Sequence, residues 1–159
     1  MFRILEHKPG EGVTQHTSDE LVAPPTAGTL RWIDLVAPTD ADLQLLGARF
    51  GFHPLALEDC SHADQRPKSE EYGDHLFIVI HAFEWADPME APTWRELHTF
   101  LGSNYLVTVH EHPIVGLDTV WKRVTAETSG LTRGLDFIYY LVVDHCVDQN
   151  FPILDLMAD

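Results

Sequence analysis

Two adjacent carboxylates, Glu58 and Asp59, lie near the end of a short predicted helix, His53–Cys60, and are the first candidates for metal chemistry. The C-terminal end of a helix carries partial negative charge, so acidic side chains there are unfavourable unless a cation compensates them. Carboxylate oxygens are the ligands that Mg²⁺ prefers, and the ion usually keeps several of its waters. A metal site and an acidic helix end that only faces solvent both explain the pattern.

A second acidic group lies in the last predicted helix, which runs from Gly134 to the end of the chain and contains Asp144, Asp148, Asp155 and Asp159. On one continuous helix these four side chains would form a stripe about 60° wide. Proline removes a backbone donor and clashes with the preceding turn, so Pro152 is expected to kink or split this helix. Like charges four residues apart cost about 0.2–0.5 kcal/mol per pair, which a bound cation or a basic partner would relieve. A solvated face is the simpler interpretation for Asp148 and Asp155.

The ten histidines are a further source of metal ligands. His110 and His112 would share one face of a strand, but spacing identifies no third or fourth ligand. His53 precedes Pro54 and is expected to help start a helix. His81 and His98 fall in strand-like runs, where we expect exposed or hydrogen-bonded structural residues.

Basic residues form one compact group, Arg66-Pro67-Lys68, which is expected to pair with Glu70 or Glu71 rather than to bind phosphate. No glycine-rich phosphate loop, nucleophile elbow or Ser/His/Asp order is present in the sequence. Asp and His are abundant enough to meet by chance, so their number is not evidence for catalysis. The sequence therefore favours a protein that is not an enzyme.

The elements that must position these residues follow from hydrophobic periodicity. Strand patterns occupy Phe2–Glu6, Val13–His16, Leu30–Val36, His75–Trp85, Trp94–Gly102 and Tyr105–His110, and helical patterns begin after Thr39, His53, Pro113 and Arg133. Ser61–Asp74 is a polar segment. Strands and helices in this mixed order predict an α/β fold of the α+β type, a mixed β-sheet sandwiched between helices on both faces. Five aromatic residues are assigned to its core: Trp32, Phe77, Phe83, Tyr105 and Trp121.

Composition limits the possible partners. The chain has 159 residues, enough for one domain, and 10 Lys+Arg against 25 Asp+Glu give 10 − 25 = −15. Such a surface repels phosphate backbones, which disfavours nucleic-acid binding. It is compatible with cations or basic partners, although most acidic surfaces only confer solubility. The longest apolar runs are too short to span a bilayer. The final helical pattern stops without a glycine or proline, which indicates a chain cut inside a longer helix.

Several motifs together resemble one family. The stretch Phe50–Asp59 (FGFHPLALED), followed by Gln65–Lys68 (QRPK) and Glu70–Tyr72 (EEY), resembles the central motif of CorA-type magnesium transporters. Further pieces agree in order and spacing: Trp32–Leu35 with Pro38-Thr39, His75–Val79, Asn104–Val109, and Asp136–Asp148 with its two tyrosines. The resemblance runs from about Trp32 to the C-terminus, and the combined string is specific although each piece alone is weak.

The resemblance implies that residues 1–159 form the N-terminal domain of a homopentameric transporter, truncated before its stalk and transmembrane helices. Such a domain lies on the cytoplasmic face of the cell inner membrane and reaches the membrane only through the missing C-terminal helices. Asp59 then corresponds to an intersubunit metal ligand, Glu58 to an auxiliary ligand, and Asp144 to a position associated with a second regulatory ion. The implied ion is weakly bound Mg²⁺, with Co²⁺ or Zn²⁺ as alternatives, and it holds the pore shut.

Three alternatives remain open at this point. The zinc-transporting, ZntB-like branch shares the architecture. A soluble α/β enzyme with an Asp/His site would need a convergent, water-excluded constellation. A free-standing interaction module would need a gene that stops at Asp159.

Overall fold

The structure is a computed structural model that describes residues 1–62, 64–85, 87, 89–127 and 130–158, with the backbone alone for 151–153 and 156. Seven strands form one sheet: β1 (Phe2–His7), β2 (Val13–His16), β3 (Leu30–Val36), β4 (Lys68–Tyr72), β5 (His75–Glu84), β6 (Thr93–Gly102) and β7 (Tyr105–His110). Their spatial order is β2-β1-β3-β7-β6-β5-β4. The central pair β3 and β7 is parallel, with Trp32 opposite Leu106, and the other neighbouring pairs are antiparallel.

In the described parts of the chain, five α-helices accompany the sheet: α1 (Asp40–Phe50), α2 (Pro54–Ser61), α3 (Val115–Ala126), α4 (Leu135–Asp148) and α5 (Asn150–Ala158). Leu43 and Leu46 of α1 and Ala56 of α2 pack with Ile33 and other residues on one face of the sheet. Side chains of α3 and α4 pack with Trp32 and its neighbours on the opposite face. The predicted mixed sheet with helices on both faces is therefore confirmed.

Local sequence explains how α1 begins and ends. Thr39 accepts a hydrogen bond from the backbone of Asp42, and Asp42 accepts one from the backbone of Thr39, a complete capping box. Gly51 ends the helix with a left-handed φ of 69°, a conformation that costs glycine little. These two signals position the loop that leads directly into α2.

Aromatic packing fixes α2 against the sheet and α3 against the opposite face. Phe52 stacks on Phe100 of β6 with ring centroids 3.8 Å apart, just before α2 begins. On the other face, Trp32 meets Trp121 of α3 edge to face at 4.7 Å. Buried aromatic pairs contribute about 0.5–1.5 kcal/mol beyond their buried area. The N-terminal end of α2 is thus held against β6.

The structure differs from the sequence prediction at three points. The polar segment Ser61–Asp74 contains an edge strand, β4, which pairs antiparallel with β5. The last helix breaks at Gln149, so that Pro152 falls in the first turn of α5, where proline is tolerated. Phe83 is 37% exposed and does not belong to the core, whereas the other four assigned aromatic residues are buried.

Candidate functional site

Asp59 lies in the last turn of α2, with its side chain 20% exposed. His53 begins this helix as expected: its Nδ1 accepts a hydrogen bond from Leu55 N at 3.1 Å, with Pro54 at the first helical position. At the other end, the backbone N–H of His62 donates to the carbonyl of Asp59. The carboxylate is therefore displayed at the negative end of the helix, partly open to solvent.

A lysine ammonium bridges Asp59 and a second carboxylate. Lys68 of β4 donates from Nζ to Asp59 Oδ2 at 2.6 Å and lies 2.8 Å from Glu70 Oε1. Tyr72 donates its hydroxyl to the other oxygen of Glu70 at 2.8 Å. The hydrogen bonds to Asp59 and Glu70 raise the pKa of Lys68, and the hydrogen bond from Lys68 lowers the pKa of Glu70. Two carboxylates share one ammonium, which leaves a net negative charge at the surface.

The predicted pairing of Lys68 with Glu70 is confirmed, but its contact with Asp59 was missed. The neighbouring carboxylate, Glu58, is exposed. Its backbone carbonyl accepts a hydrogen bond from Ser61 Oγ at 2.7 Å. Glu58 and Asp59 therefore have different environments, and the ammonium contact distinguishes Asp59 as the carboxylate that is already held in place.

Asp144 is exposed on α4, which covers the face of the sheet opposite α2. The structure therefore does not bring Asp144 and Asp59 together within one chain. Asp148 is also exposed on α4, whereas Asp155 lies on α5, beyond the break at Gln149. The acidic stripe is thus confined to α4, and Asp159 lies outside the described residues.

The His110 and His112 pair does not form a metal site. His110 is buried, with Nε2 2.8 Å from Asp34 Oδ1 and Nδ1 2.7 Å from the carbonyl of His112. Arg3 Nε and Thr108 Oγ1 also donate to Asp34, at 2.8 and 2.6 Å. Both ring nitrogens of His110 are therefore engaged in a structural network, and neither is available to an ion.

Charges in this network shift two pKa values in opposite directions. Burial alone would raise the pKa of Asp34, but the hydrogen bond and charge of His110, together with the Arg3 charge, lower it. Burial alone would lower the pKa of His110, but the hydrogen bond and charge of Asp34 raise it. Asp34 and His110 therefore each favour the charged form of the other.

A second group of titratable residues lies near the C-terminal end of α2. Glu96 and His98 of β6 are both buried, with Glu96 Oε2 3.3 Å from His98 Nε2 and no hydrogen bond to either atom among the described residues. They line a cavity of about 400 Å³ together with Cys60. His98 is buried rather than exposed, and it lies against the backbone of Val109 while its Nε2 has no geometrically good hydrogen bond among the described residues. His81 is hydrogen-bonded as expected, to the carbonyl of Gln65 at 2.8 Å. Glu96 and His98 are two residues apart on one strand, and this spacing could have indicated that their side chains lie on the same face of the sheet.

Within the described parts of the chain, no three or more His, Cys, Asp or Glu side chains are grouped so that they could hold a metal ion. No described helix combines the length and apolar character needed to cross a membrane. The candidate metal residues therefore offer single carboxylates, each of which needs further ligands from elsewhere.

Comparison with known proteins gives a consistent result. The family described as CorA-like Mg²⁺ transporter protein matches residues 27–159. The putative metal ion transporter YfjQ of Bacillus subtilis is 37% identical over 128 residues, which cover 80% of this chain and 39% of that protein. The cobalt/magnesium transport protein CorA of Thermotoga maritima is 27% identical over 135 residues, or 84% and 38% of the two chains.

Solved structures show the same fold. The soluble domain of CorA from Methanocaldococcus jannaschii matches with a TM-score of 0.69 at 22% identity, covering 98% of this chain and 60% of that one. The ZntB cytoplasmic domain from Vibrio parahaemolyticus matches with a TM-score of 0.77 at 12% identity, covering 99% and 62%. The chain thus spans about two-fifths of the length of the two bacterial relatives and about three-fifths of these solved domains.

Proposed function

Because the chain belongs to the family of CorA-like Mg²⁺ transporter proteins, we propose that it is the regulatory, divalent-cation-sensing domain of a Mg²⁺ transporter and not an enzyme. It sets the balance between the open and closed states of a pore formed elsewhere in the polypeptide. In this proposal the domain lies on the cytoplasmic face of the inner membrane and works within a homopentamer.

The observation that carries the proposal is the position of Asp59. This carboxylate lies within the family motif, at the negative end of α2, partly exposed and held by one ammonium group, Lys68. A divalent cation carries twice the charge of Lys68 and can take its place between Asp59 and Glu70. Binding of the cation then requires the Lys68 ammonium to move away from Asp59 Oδ2, from which it lies 2.6 Å.

The domain supplies only part of the site. Mg²⁺ is bound through one or two carboxylates and retained waters, and a second carboxylate from a neighbouring subunit would complete the sphere. An ion that binds the symmetric closed assembly better than the open one stabilises closure by the difference in affinity. Sensing is then a property of the assembly, with Asp59 as the principal contribution of this domain and Glu58 as an auxiliary one.

Asp144 is proposed as a ligand of a separate regulatory ion. It lies on α4, exposed, with Asp148 four residues away on the same helix. The sheet separates it from Asp59, so the two carboxylates serve different ions. This assignment rests on the family resemblance together with the exposure of the side chain.

Transport measurements on the full-length protein test the proposal. In Asp59→Asn, we expect flux to persist at internal Mg²⁺ concentrations that close the parent transporter, because the closed assembly loses a ligand. Asp144→Asn should shift closure in the same direction. Magnesium flux into liposomes, measured against internal Mg²⁺, gives the concentration of half-closure for each variant.

Glu127→Gln is the matched control, because Glu127 is an exposed carboxylate on the opposite face, and its ion pair among the described residues is the local one with Arg123. The transporter carrying Glu127→Gln should close at the same internal Mg²⁺ concentration as the parent. Unchanged half-closure in both aspartate variants would remove these residues from the sensing site. Loss of all flux, rather than loss of closure, would indicate a catalytic or conducting role instead.

A zinc transporter is the second candidate, favoured by the fold likeness to a ZntB cytoplasmic domain. The same liposomes loaded with a zinc-sensitive and a magnesium-sensitive dye distinguish the two. Magnesium flux without zinc flux supports the primary proposal, and zinc flux alone supports the alternative.

A further inference from the structure

The cavity beside the end of α2 is lined mainly by side chains that coordinate metals. Six of the nine residues around it are of this kind: Cys60, His62, Glu96, His98, Glu111 and His112. Asp59 is not among the lining residues, and its carboxylate faces Lys68 instead. The cavity therefore does not include the Asp59 carboxylate, although the charge of Asp59 acts on both Glu96 and His98.

One carboxylate oxygen of Glu96 accepts a hydrogen bond, and the other has no hydrogen-bond partner among the described residues. Its Oε1 accepts a hydrogen bond from the backbone N–H of Gln65 at 2.6 Å and lies 3.8 Å from His81 Nε2. Its Oε2 is buried without a hydrogen-bond partner among the described residues. Fixing one carboxylate oxygen by a hydrogen bond while leaving the other bare is how proteins orient metal-binding carboxylates.

His98 presents a buried nitrogen beside that free oxygen. Its residue exposure is 4%, and Nε2 has no hydrogen-bond partner in the described part of the chain. Burial lowers the pKa of His98 to about 4, so the ring is neutral near pH 7, the form that coordinates metals. Leaving a buried polar atom unsatisfied costs about 1–3 kcal/mol, which a bound ion would recover.

The distance between the two free atoms matches that of two ligands on one ion. Glu96 Oε2 and His98 Nε2 are 3.3 Å apart. Tetrahedral zinc binds oxygen and nitrogen ligands at about 2.0–2.2 Å, which separates neighbouring ligand atoms by about 3.3–3.5 Å. The pair is thus spaced for a shared ion.

We propose that this cavity binds a borderline transition-metal ion, Zn²⁺ or Co²⁺, through Glu96 Oε2 and His98 Nε2. Water molecules complete the coordination sphere, because no third protein ligand is grouped with this pair among the described residues. An imidazole nitrogen suits Zn²⁺ and Co²⁺, whereas Mg²⁺ prefers oxygen alone, so the site discriminates against the ion proposed for Asp59. This inference does not depend on the proposed gating function.

The purified chain is titrated with Co²⁺ while d–d absorption is followed, and Zn²⁺ is then added as competitor. We expect one Co²⁺ per chain with the absorption of a four- or five-coordinate ion, displaced by Zn²⁺ and not by millimolar Mg²⁺. Glu96→Gln and His98→Leu should each weaken binding by at least about tenfold. His16→Gln, on the distant strand β2, is the matched histidine control and should bind like the parent.

Denaturation without metal separates a ligand from a structural histidine. His98→Leu removes a buried unsatisfied nitrogen, so its metal-free stability should equal or exceed that of the parent, and added Zn²⁺ should raise Tm in the parent alone. The proposal is overturned if no stoichiometric Co²⁺ binds, or if Asp59→Asn abolishes binding. It is equally overturned if either Glu96→Gln or His98→Leu binds Co²⁺ as tightly as the parent, because each removes a proposed ligand atom.

Discussion

At the residue scale, Asp34 is the centre of a buried network of charged and polar side chains. It is fully buried and accepts hydrogen bonds from Arg3, Thr108 and His110, while Arg3 also reaches Asp118 of α3 at 2.6 Å. The network joins β1, β3 and β7 to the helix above them. Removing one partner of a buried ion pair typically costs about 3–5 kcal/mol, because the other charge stays buried. These residues therefore serve stability, in contrast to the partly exposed Asp59.

This network predicts the pH dependence of stability. The pKa of His110 is raised, so its contribution is complete below the unfolded value of about 6.5 and is lost as pH rises through the folded pKa. The pKa of Asp34 is lowered, so its contribution is lost only as pH falls through its folded pKa, below 3.8. Urea denaturation should show the free energy of unfolding decreasing as pH rises above about 6.5.

In His110→Gln the free energy of unfolding should fall less steeply as pH rises above about 6.5. In the control variant His16→Gln it should fall as in the parent. The absolute stability of His110→Gln is expected to be lower at mildly acidic pH, where the imidazolium contact is lost. An identical pH slope in the parent and in His110→Gln would show that the Asp34 contact does not control this titration.

At the scale of elements, some boundaries follow from local chemistry and others do not. Thr39, Gly51 and Pro54 act within a few residues, so the bounds of α1 and α2 could be predicted from the sequence. Strand β4 could not, because its sequence KSEEY is polar and it forms through backbone pairing with β5. The sequence predicted a break at Pro152, whereas the helix ends earlier, at Gln149. The prediction was too late because proline is tolerated in the first turn of the next helix, α5.

The same distinction applies to the candidate sites. The Glu58-Asp59 pair is visible in sequence because its residues are adjacent. The contact of Asp59 with Lys68 joins α2 to an unpredicted strand, and the cavity beside His98 joins β6 to α2, so neither could be read from local spacing. Both sites form through contacts between elements that are separate in the sequence.

The capping box predicts a measurable contribution to stability. Thr39→Ala should lower the free energy of unfolding by about 1 kcal/mol, because the backbone N–H of Asp42 loses its acceptor. Thr39→Ser keeps the hydroxyl and should stay close to the parent. Equal stability of the alanine and serine variants in urea denaturation would contradict a role for this cap.

At the scale of the whole molecule, the two proposed ion positions lie on opposite faces of one sheet. Asp59 on α2 and Asp144 on α4 cannot share an ion within a chain, so each needs a partner from another subunit or from another part of the polypeptide. The chain matches 39% of the length of the B. subtilis relative, and a homopentamer is part of the proposed function. Assembly is therefore expected to depend on segments other than this domain.

We accordingly expect the isolated chain to be monomeric or only weakly associated at micromolar concentration. Exposed apolar side chains do occur on α4 and α5, among them Tyr140 and Leu154, but single exposed apolar residues are normal on monomers. Sedimentation velocity without added metal should give one species near 18.0 kDa. A stable pentamer under those conditions would show that this domain alone drives assembly.

The most direct measurement of the central claim is the internal Mg²⁺ concentration that half-closes the full-length transporter carrying Lys68→Met. If the lysine occupies the position that the sensed ion must take beside Asp59, its removal leaves an unneutralised carboxylate pair, and closure should occur at lower Mg²⁺ than in the parent. This shift is opposite to the one expected for Asp59→Asn. Lys122→Met, an exposed lysine on α3, is the control and should change nothing. Half-closure at the parent concentration, or at a higher one, in Lys68→Met would contradict the claim that Asp59 binds the sensed cation.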